Sequence, residues 1–214
     1  MEKEITSDNL KKAIRKSIQV YGQQSESICK LEKILNDKDI ITNEMFQIFP
    51  NNNQIMDTYN ILVNFYSENK LYDNEKLTIL RELVKLNIKK KEICIIILQE
   101  IKKIMKNDDT SICWELCDLL YSLKQGEFIT DYIQIATCER LKSSRQMIFL
   151  LMGKLKEGCF IPIILNNLND ESVNGHALSA LSNYPDEKYD VYFLPFLNDR
   201  RKWVKKLAQK RLKK

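Results

Sequence analysis

Few residues in this 214-residue chain are of types that do chemistry, and their spacing limits what they can do. His176 is the only histidine. A metal site needs further ligands, and an acyl-transfer triad needs a nucleophile and an orienting acid. No cysteine or carboxylate cluster flanks His176 in sequence, so it reads as a partly buried residue on a helix flank. The six cysteines stand at 29, 94, 113, 117, 138 and 159 without a Cys-x-x-Cys pair. In a large helical chain they read as free thiols in the core, rather than as disulfides or metal ligands. Trp114 and Asp118 are four residues apart, on one helical face, where core packing for Trp114 and a solvated or capping role for Asp118 are expected. No Walker loop, Gly-x-Gly-x-x-Gly, His-Glu-x-x-His or Gly-x-Ser-x-Gly occurs, and five glycines leave little material for a phosphate-cradling loop. The expectation is no catalytic residue, no cofactor and no metal.

Charge is the stronger signal. The net charge is +5, but Arg200 to Lys214 holds nine basic residues and no acid, which leaves 25 bases against 29 acids in the other 199 residues. An acidic body with a basic end points to a contact surface. On the last helix Val204, Leu207 and Ala208 face inward, while Lys202, Lys205, Lys206, Gln209 and Lys213 point outward. These five, with Ser179 and Ser182 on the preceding helix, are the candidate partner-binding residues. The same lysines read first as a solvated cap on the fold, and otherwise as a contact for nucleic acid, another anionic partner or a membrane surface. Only Trp203 interrupts the charges, so stacking of single-stranded bases is not indicated.

The elements that carry these residues are helices throughout. With 44% apolar residues and only 4 Pro, the chain has ample core and few special turns. Asp8 caps a first helix with Leu10, Ile14, Ile18 and Tyr21. Ser25 starts a second with Ile28, Leu31, Ile34 and Leu35. Thr42 opens a short third through Phe49, and Asn52 or Asn53 a fourth with Ile55, Met56, Tyr59, Leu62, Val63 and Tyr66. Asp73 caps a fifth that stops near Asn87, and a sixth runs from about Lys90 to Lys106. Asp109 or Thr110 caps a seventh that ends before Gly126. Helices follow over Phe128–Cys138 and Ser144–Lys156. No stretch alternates with period two for long enough to argue a strand. The start, Met1–Thr6, has no apolar h-region, and the longest apolar runs are six residues, too short to span a bilayer. The expected location is cytoplasmic, and the Lys, Asn and Ile richness fits a low-GC bacterial genome.

The last fifty residues repeat. Ile161 to Asp170 is an apolar helix ending in Leu168-Asn169-Asp170, followed by a helix with Val173, Ala177, Ala180 and Leu181 on one face and Gly175, Ser179 and Ser182 opposite. Tyr192 to Asp199 ends in Leu197-Asn198-Asp199 and is followed by a helix with Val204, Ala208 and Leu212. Met147, Leu151 and Leu155 match in the preceding hairpin. A period near thirty residues implies hairpins that stack to bury their apolar stripes, with Ala177 and Ala180 allowing close approach. These segments resemble HEAT repeats, best over 161–212 and fairly over 126–157. The resemblance implies an all-α superhelix of about six antiparallel hairpins in one domain, 1–214, with 1–50 as irregular capping helices. It also implies that Asp170 and Asp199 fix the hairpin turns. Pro162 and Pro195 sit near opposite ends of their helices.

Such a fold offers an extended concave surface, so the expected function is a non-enzymatic scaffold for a protein partner. An immunity protein that neutralises a bacterial toxin is the specific expectation, since an acidic body suits a basic nuclease. The alternative is DNA binding, because a family of HEAT-like glycosylases that excise alkylated bases uses tryptophans and an aspartate. Trp114, Asp118 and Trp203 would stand in for that set.

Overall fold

The computed structural model describes residues 25–43, 46–107 and 110–213. Among them the chain is all-α apart from one small β-hairpin. It divides into two compact units, Met1–Glu82 and Leu83–Lys214, each taken by itself below. The helix expected from Asp8, the cap at Asp109 and the terminal Lys214 lie outside the described residues.

In the first unit, α1 (Glu26–Asn36) starts where Ser25 caps it, its Oγ accepting from the Ile28 N–H at 3.3 Å. Ile28, Leu31 and Leu35 are buried, whereas Ile34 is exposed. The helix expected over 42–49 is instead an antiparallel hairpin of β1 (Ile41–Thr42) and β2 (Ile48–Phe49), with Ile41 opposite Phe49. Two local features and one distant contact explain the difference. Asn43 Oδ1 accepts from the Gln47 N–H at 2.8 Å, Phe46 takes a left-handed φ of 53°, and the Ile48 N–H donates to the buried Glu82 carboxylate at 3.1 Å. Phe46 and Ile48 are buried while Gln47 and Phe49 are not, a period of two too short to register as a strand. Next, α2 (Ile55–Glu68) is held at its start by Asn51, whose Oδ1 accepts from Asn53 and Gln54. It buries Tyr59, Leu62 and Phe65. Glu75 accepts from the Tyr72 N–H at 2.6 Å at the start of α3 (Asp73–Lys85), inside which the boundary between the units falls.

The second unit runs through α4 (Lys90–Ile104), α5 (Cys113–Leu123), α6 (Ile129–Thr137), α7 (Gln146–Leu155), α8 (Ile161–Asn166), α9 (Asn174–Leu181) and α10 (Lys202–Leu212). Alternate helices pack together, α5 on α7, α7 on α9 and α6 on α8, and so do the consecutive pairs α4 with α5, α8 with α9 and α9 with α10. Helix α7 buries Ile148, Phe149, Leu151 and Met152, each side chain stabilising the unit by about 1.5–3 kcal/mol. Met147 and Leu155, expected on the same stripe as Leu151, are only half-buried. Helices α7 and α9 cross closely: a Cβ added to Gly153 would lie 2.6 Å from the Ala180 Cα.

Two helix ends share one solution. Lys124 (φ 53°) closes α5 and Lys156 (φ 58°) closes α7, each donating its N–H back to the fourth residue before it. Lys124, not Gly126, is thus the left-handed cap, and Gly126 falls in a short 3₁₀ turn, Gly126–Phe128. Thr110 contributes its backbone carbonyl, not its hydroxyl, to the start of α5. The segment expected as an α-helix before Asp199 is a 3₁₀ helix, Glu187–Asn198. Pro195 within it has no N–H for the α ladder, whereas Pro162 sits in the first turn of α8, where that loss costs nothing.

Candidate functional site

The basic end is built on two turns of the same design. Asp170 Oδ1 accepts from the N–H and Oγ–H of Ser172 at 2.9 and 2.6 Å. Asp199 Oδ1 accepts from the Arg201 N–H at 2.8 Å. An arginine ties each turn to neighbouring chain. Arg145, 1% exposed, donates to the Asp170 carboxylate, to the Ala136 carbonyl at 2.8 Å and to Asn167 Oδ1 at 3.2 Å. Arg201 donates to Asp199 Oδ2 at 2.7 Å and to Asn174 Oδ1, at the start of α9, at 2.8 Å. Burial pulls the Asp170 carboxyl upward, but the Ser172 and Arg145 hydrogen bonds together outweigh it and hold the group below its ordinary value. The Arg201 hydrogen bond holds Asp199 low against a smaller effect of burial.

The nine terminal bases therefore divide by role. Arg211 is buried, with Nε on Asp190 at 2.5 Å and its other nitrogens on the carbonyls of Tyr184 and Asp186 at 3.0 and 2.9 Å. With Arg201 it belongs to the internal scaffolding. Arg200, Lys202, Lys205, Lys206, Lys210 and Lys213 are exposed, and no ion pair to them forms among the described residues. Lys202, Lys206, Gln209 and Lys213 share the outer face of α10, with Lys205 beside them; Gln209 is half-buried. Val204 and Ala208 are buried as expected, and Leu207 is half-buried. Ser179 on α9 and Ser182 at its C-terminal cap are half-buried, and the Ser182 hydroxyl donates to the Ser179 carbonyl at 2.7 Å, so it is used in closing the helix.

Gly175, expected on an open face, is buried: a Cβ there would meet the Trp203 indole at 2.7 Å and Val204 at 3.0 Å. His176 stacks edge-on against Trp203 with ring centroids 5.3 Å apart. Burial, then the nearby Arg201 charge, holds its pKa below the ordinary value. Between these turns Glu171, Asn174, Asp199, Arg200 and Arg201 line a small cleft of about 120 Å³, mixed in charge.

The other residues do not converge. Trp114 is exposed rather than in the core, and lies on α5, which α7 and α9 separate from Trp203 on α10. Of the cysteines, Cys94, Cys113 and Cys117 are buried, Cys138 is half-buried, and Cys29 and Cys159 are exposed rather than in the core. Burial pushes the Cys94 thiol up to about 12, and a hydrogen bond to Cys113 raises Cys117, so neither supplies a thiolate at neutral pH. Among the described residues no group of three or more His, Cys, Asp or Glu is placed to hold a metal ion. No described helix is long and apolar enough to cross a membrane.

Arg145 does not stand out in the sequence pattern, although a signal for its setting exists. Leu123-Lys124-Gln125-Gly126-Glu127-Phe128-Ile129 recurs as Leu155-Lys156-Glu157-Gly158-Cys159-Phe160-Ile161. This second repeat marks the hairpin that Arg145 ties to the next one. In each copy a tyrosine hydroxyl donates to the carbonyl after the lysine, Tyr132 to Gln125 at 2.7 Å and Tyr184 to Glu157 at 2.9 Å. Compared with known proteins, the chain matches no family model, no curated protein and no solved structure.

Proposed function

We propose that the chain is a HEAT-like helical-repeat scaffold that binds a protein partner through its C-terminal unit, with the exposed face of α10 as the contact surface. The observation that carries this reading is the doubled turn. Asp170 and Asp199 stand 29 residues apart, each organises the backbone two residues on, and each is tied by an arginine to a neighbouring hairpin. Repetition of that kind supports stacked hairpins, whose rigid outer faces suit recognition. Within this class the particular role proposed is neutralisation of a bacterial toxin. The net charge of −4 over residues 1–199 supports a toxin that is basic overall, with an acidic segment of it set against the lysines of α10. Affinity capture with the full chain, followed by co-expression with each protein captured, tests both levels. Rescue of cells from a captured toxic protein is the expected result. Capture of no protein partner sinks the scaffold reading; capture of a partner without toxicity sinks only the immunity role.

A second reading, nucleic-acid contact, is favoured by the exposed lysines on α10. It requires retention on duplex DNA that falls steeply with salt and is lost when Lys202, Lys205 and Lys206 are reversed to Glu.

A further inference from the structure

The 3₁₀ helix Glu187–Asn198 leaves an apolar surface that the core does not use. At three residues per turn, positions three apart eclipse one another. Asp190, Phe193 and Phe196 form the inward row: Asp190 pairs with Arg211, and both phenylalanines are buried. The outward rows carry Val191 (58% exposed), Leu194 (52%) and Tyr192 (40%). Helix α10 packs against this segment, so the terminal hairpin shows two exposed features at once, an apolar rib and the unpaired lysines. Resting on the scaffold reading above, we propose that this hairpin docks an acidic protein segment bearing apolar side chains. Val191, Tyr192 and Leu194 receive the apolar groups, and Lys202, Lys205 and Lys206 meet the carboxylates.

Charge selects this occupant over the others. Residues 200–213 contain no acid, so a face-to-face second copy would set lysines against lysines. Duplex DNA would meet the lysines but has no use for exposed valine and leucine. An anionic bilayer is a broad plane and would set its charge against Glu187 as well as the lysines, whereas a narrow peptide segment bypasses it; Asp186 is already paired with Lys188 at 2.6 Å. A folded or extended acidic protein segment satisfies the lysines and covers the aliphatic groups, giving an apolar centre with a charged rim.

The probe is a synthetic disordered peptide of Asp and Glu interrupted by Leu and Phe, titrated by fluorescence anisotropy against the full chain. We expect saturable binding that weakens on the order of tenfold in the V191S/L194S double variant. The K202E/K205E/K206E variant, and a peptide with Ser in place of its apolar residues, should each show a loss of similar size. Circular dichroism melts should leave both protein variants folded, since all five positions are exposed. Three results overturn the proposal: no binding, binding indifferent to V191S/L194S, or equal binding of duplex DNA or phosphatidylserine vesicles with the same sensitivity. Self-association abolished by V191S/L194S would overturn it too, by giving the rib to a second copy. If a captured protein partner still binds both variants, this docking assignment falls and the scaffold reading stands.

Discussion

Replacing Arg145 by Met keeps the apolar stem of the side chain and removes the guanidinium, which isolates the work of that group. In the native structure that group donates to the carbonyls of Lys142 and Ala136 at 3.1 and 2.8 Å, to Asn167 at 3.2 Å and to the Asp170 carboxylate, from a position 1% exposed. Removing one member of a buried pair costs about 3–5 kcal/mol, because the other is left without compensation. The Asp170 side chain is 32% exposed and keeps both Ser172 hydrogen bonds, so water recovers part of the loss. The expected cost is therefore near the lower end, about 3 kcal/mol, or on the order of 10 °C in Tm for a chain of this size. Lysine cannot present the same fork, so R145K should recover only a minor part. Urea denaturation of wild type, R145M, D170N and the double variant gives the coupling directly; D170N should cost less than R145M, with a coupling of at least about 1 kcal/mol. A cost for R145M below about 1 kcal/mol, or strict additivity with D170N, would refute the claim that this pair ties the turn to its neighbour.

The remaining predictions concern packing, backbone and pH. G153A should destabilise by roughly 2–3 kcal/mol, because its new methyl meets the Ala180 Cα, which is backbone, at 2.6 Å; G175A meets a movable indole and should cost about half as much in the same denaturation assay. K124G and K156G should each leave stability unchanged or raise it by up to about 1 kcal/mol, since relief of a left-handed lysine exceeds or matches the extra chain entropy of glycine; a loss above about 1 kcal/mol in either melt would contradict the left-handed caps. The depressed His176 pKa means that the unfolded chain takes up a proton first as pH falls below about 6.5, so stability should drop over that window and level off below the folded pKa. H176N should flatten this part of a Tm-against-pH series. Asp170 acts in the same sense at lower pH: its contribution is complete above the ordinary carboxyl value of 3.8 and is lost as pH falls through its lower folded pKa, which D170N should remove.

Helix positions were legible where burial follows one amphipathic stripe, as at Ile28, Leu31 and Leu35, or Val204 and Ala208. Legibility failed where side chains act on the backbone. Asn43 and the distant Glu82 turn an apparently helical stretch into a hairpin, and no local pattern announces a partner 34 residues away. The caps at Lys124 and Lys156 were hidden because glycine, not lysine, is the ordinary mark of a left-handed residue. For the candidate site, the outward lysines of α10 followed from spacing alone. The division of the arginines did not: Arg211 and Lys210 look alike in sequence, yet one is buried on Asp190 and two carbonyls and the other is exposed. Nor did spacing reveal that Gly175 is covered by Trp203.

The contact of Gly153 with Ala180 also constrains how this protein can diversify. A crossing that admits no added methyl group freezes the spacing of α7 and α9, and any heritable change there must be answered by a second change on the facing helix. The outer side of α10 carries no such debt. Descendants of this chain can exchange its lysines one at a time and so drift toward new targets while the inner crossing stays as it is.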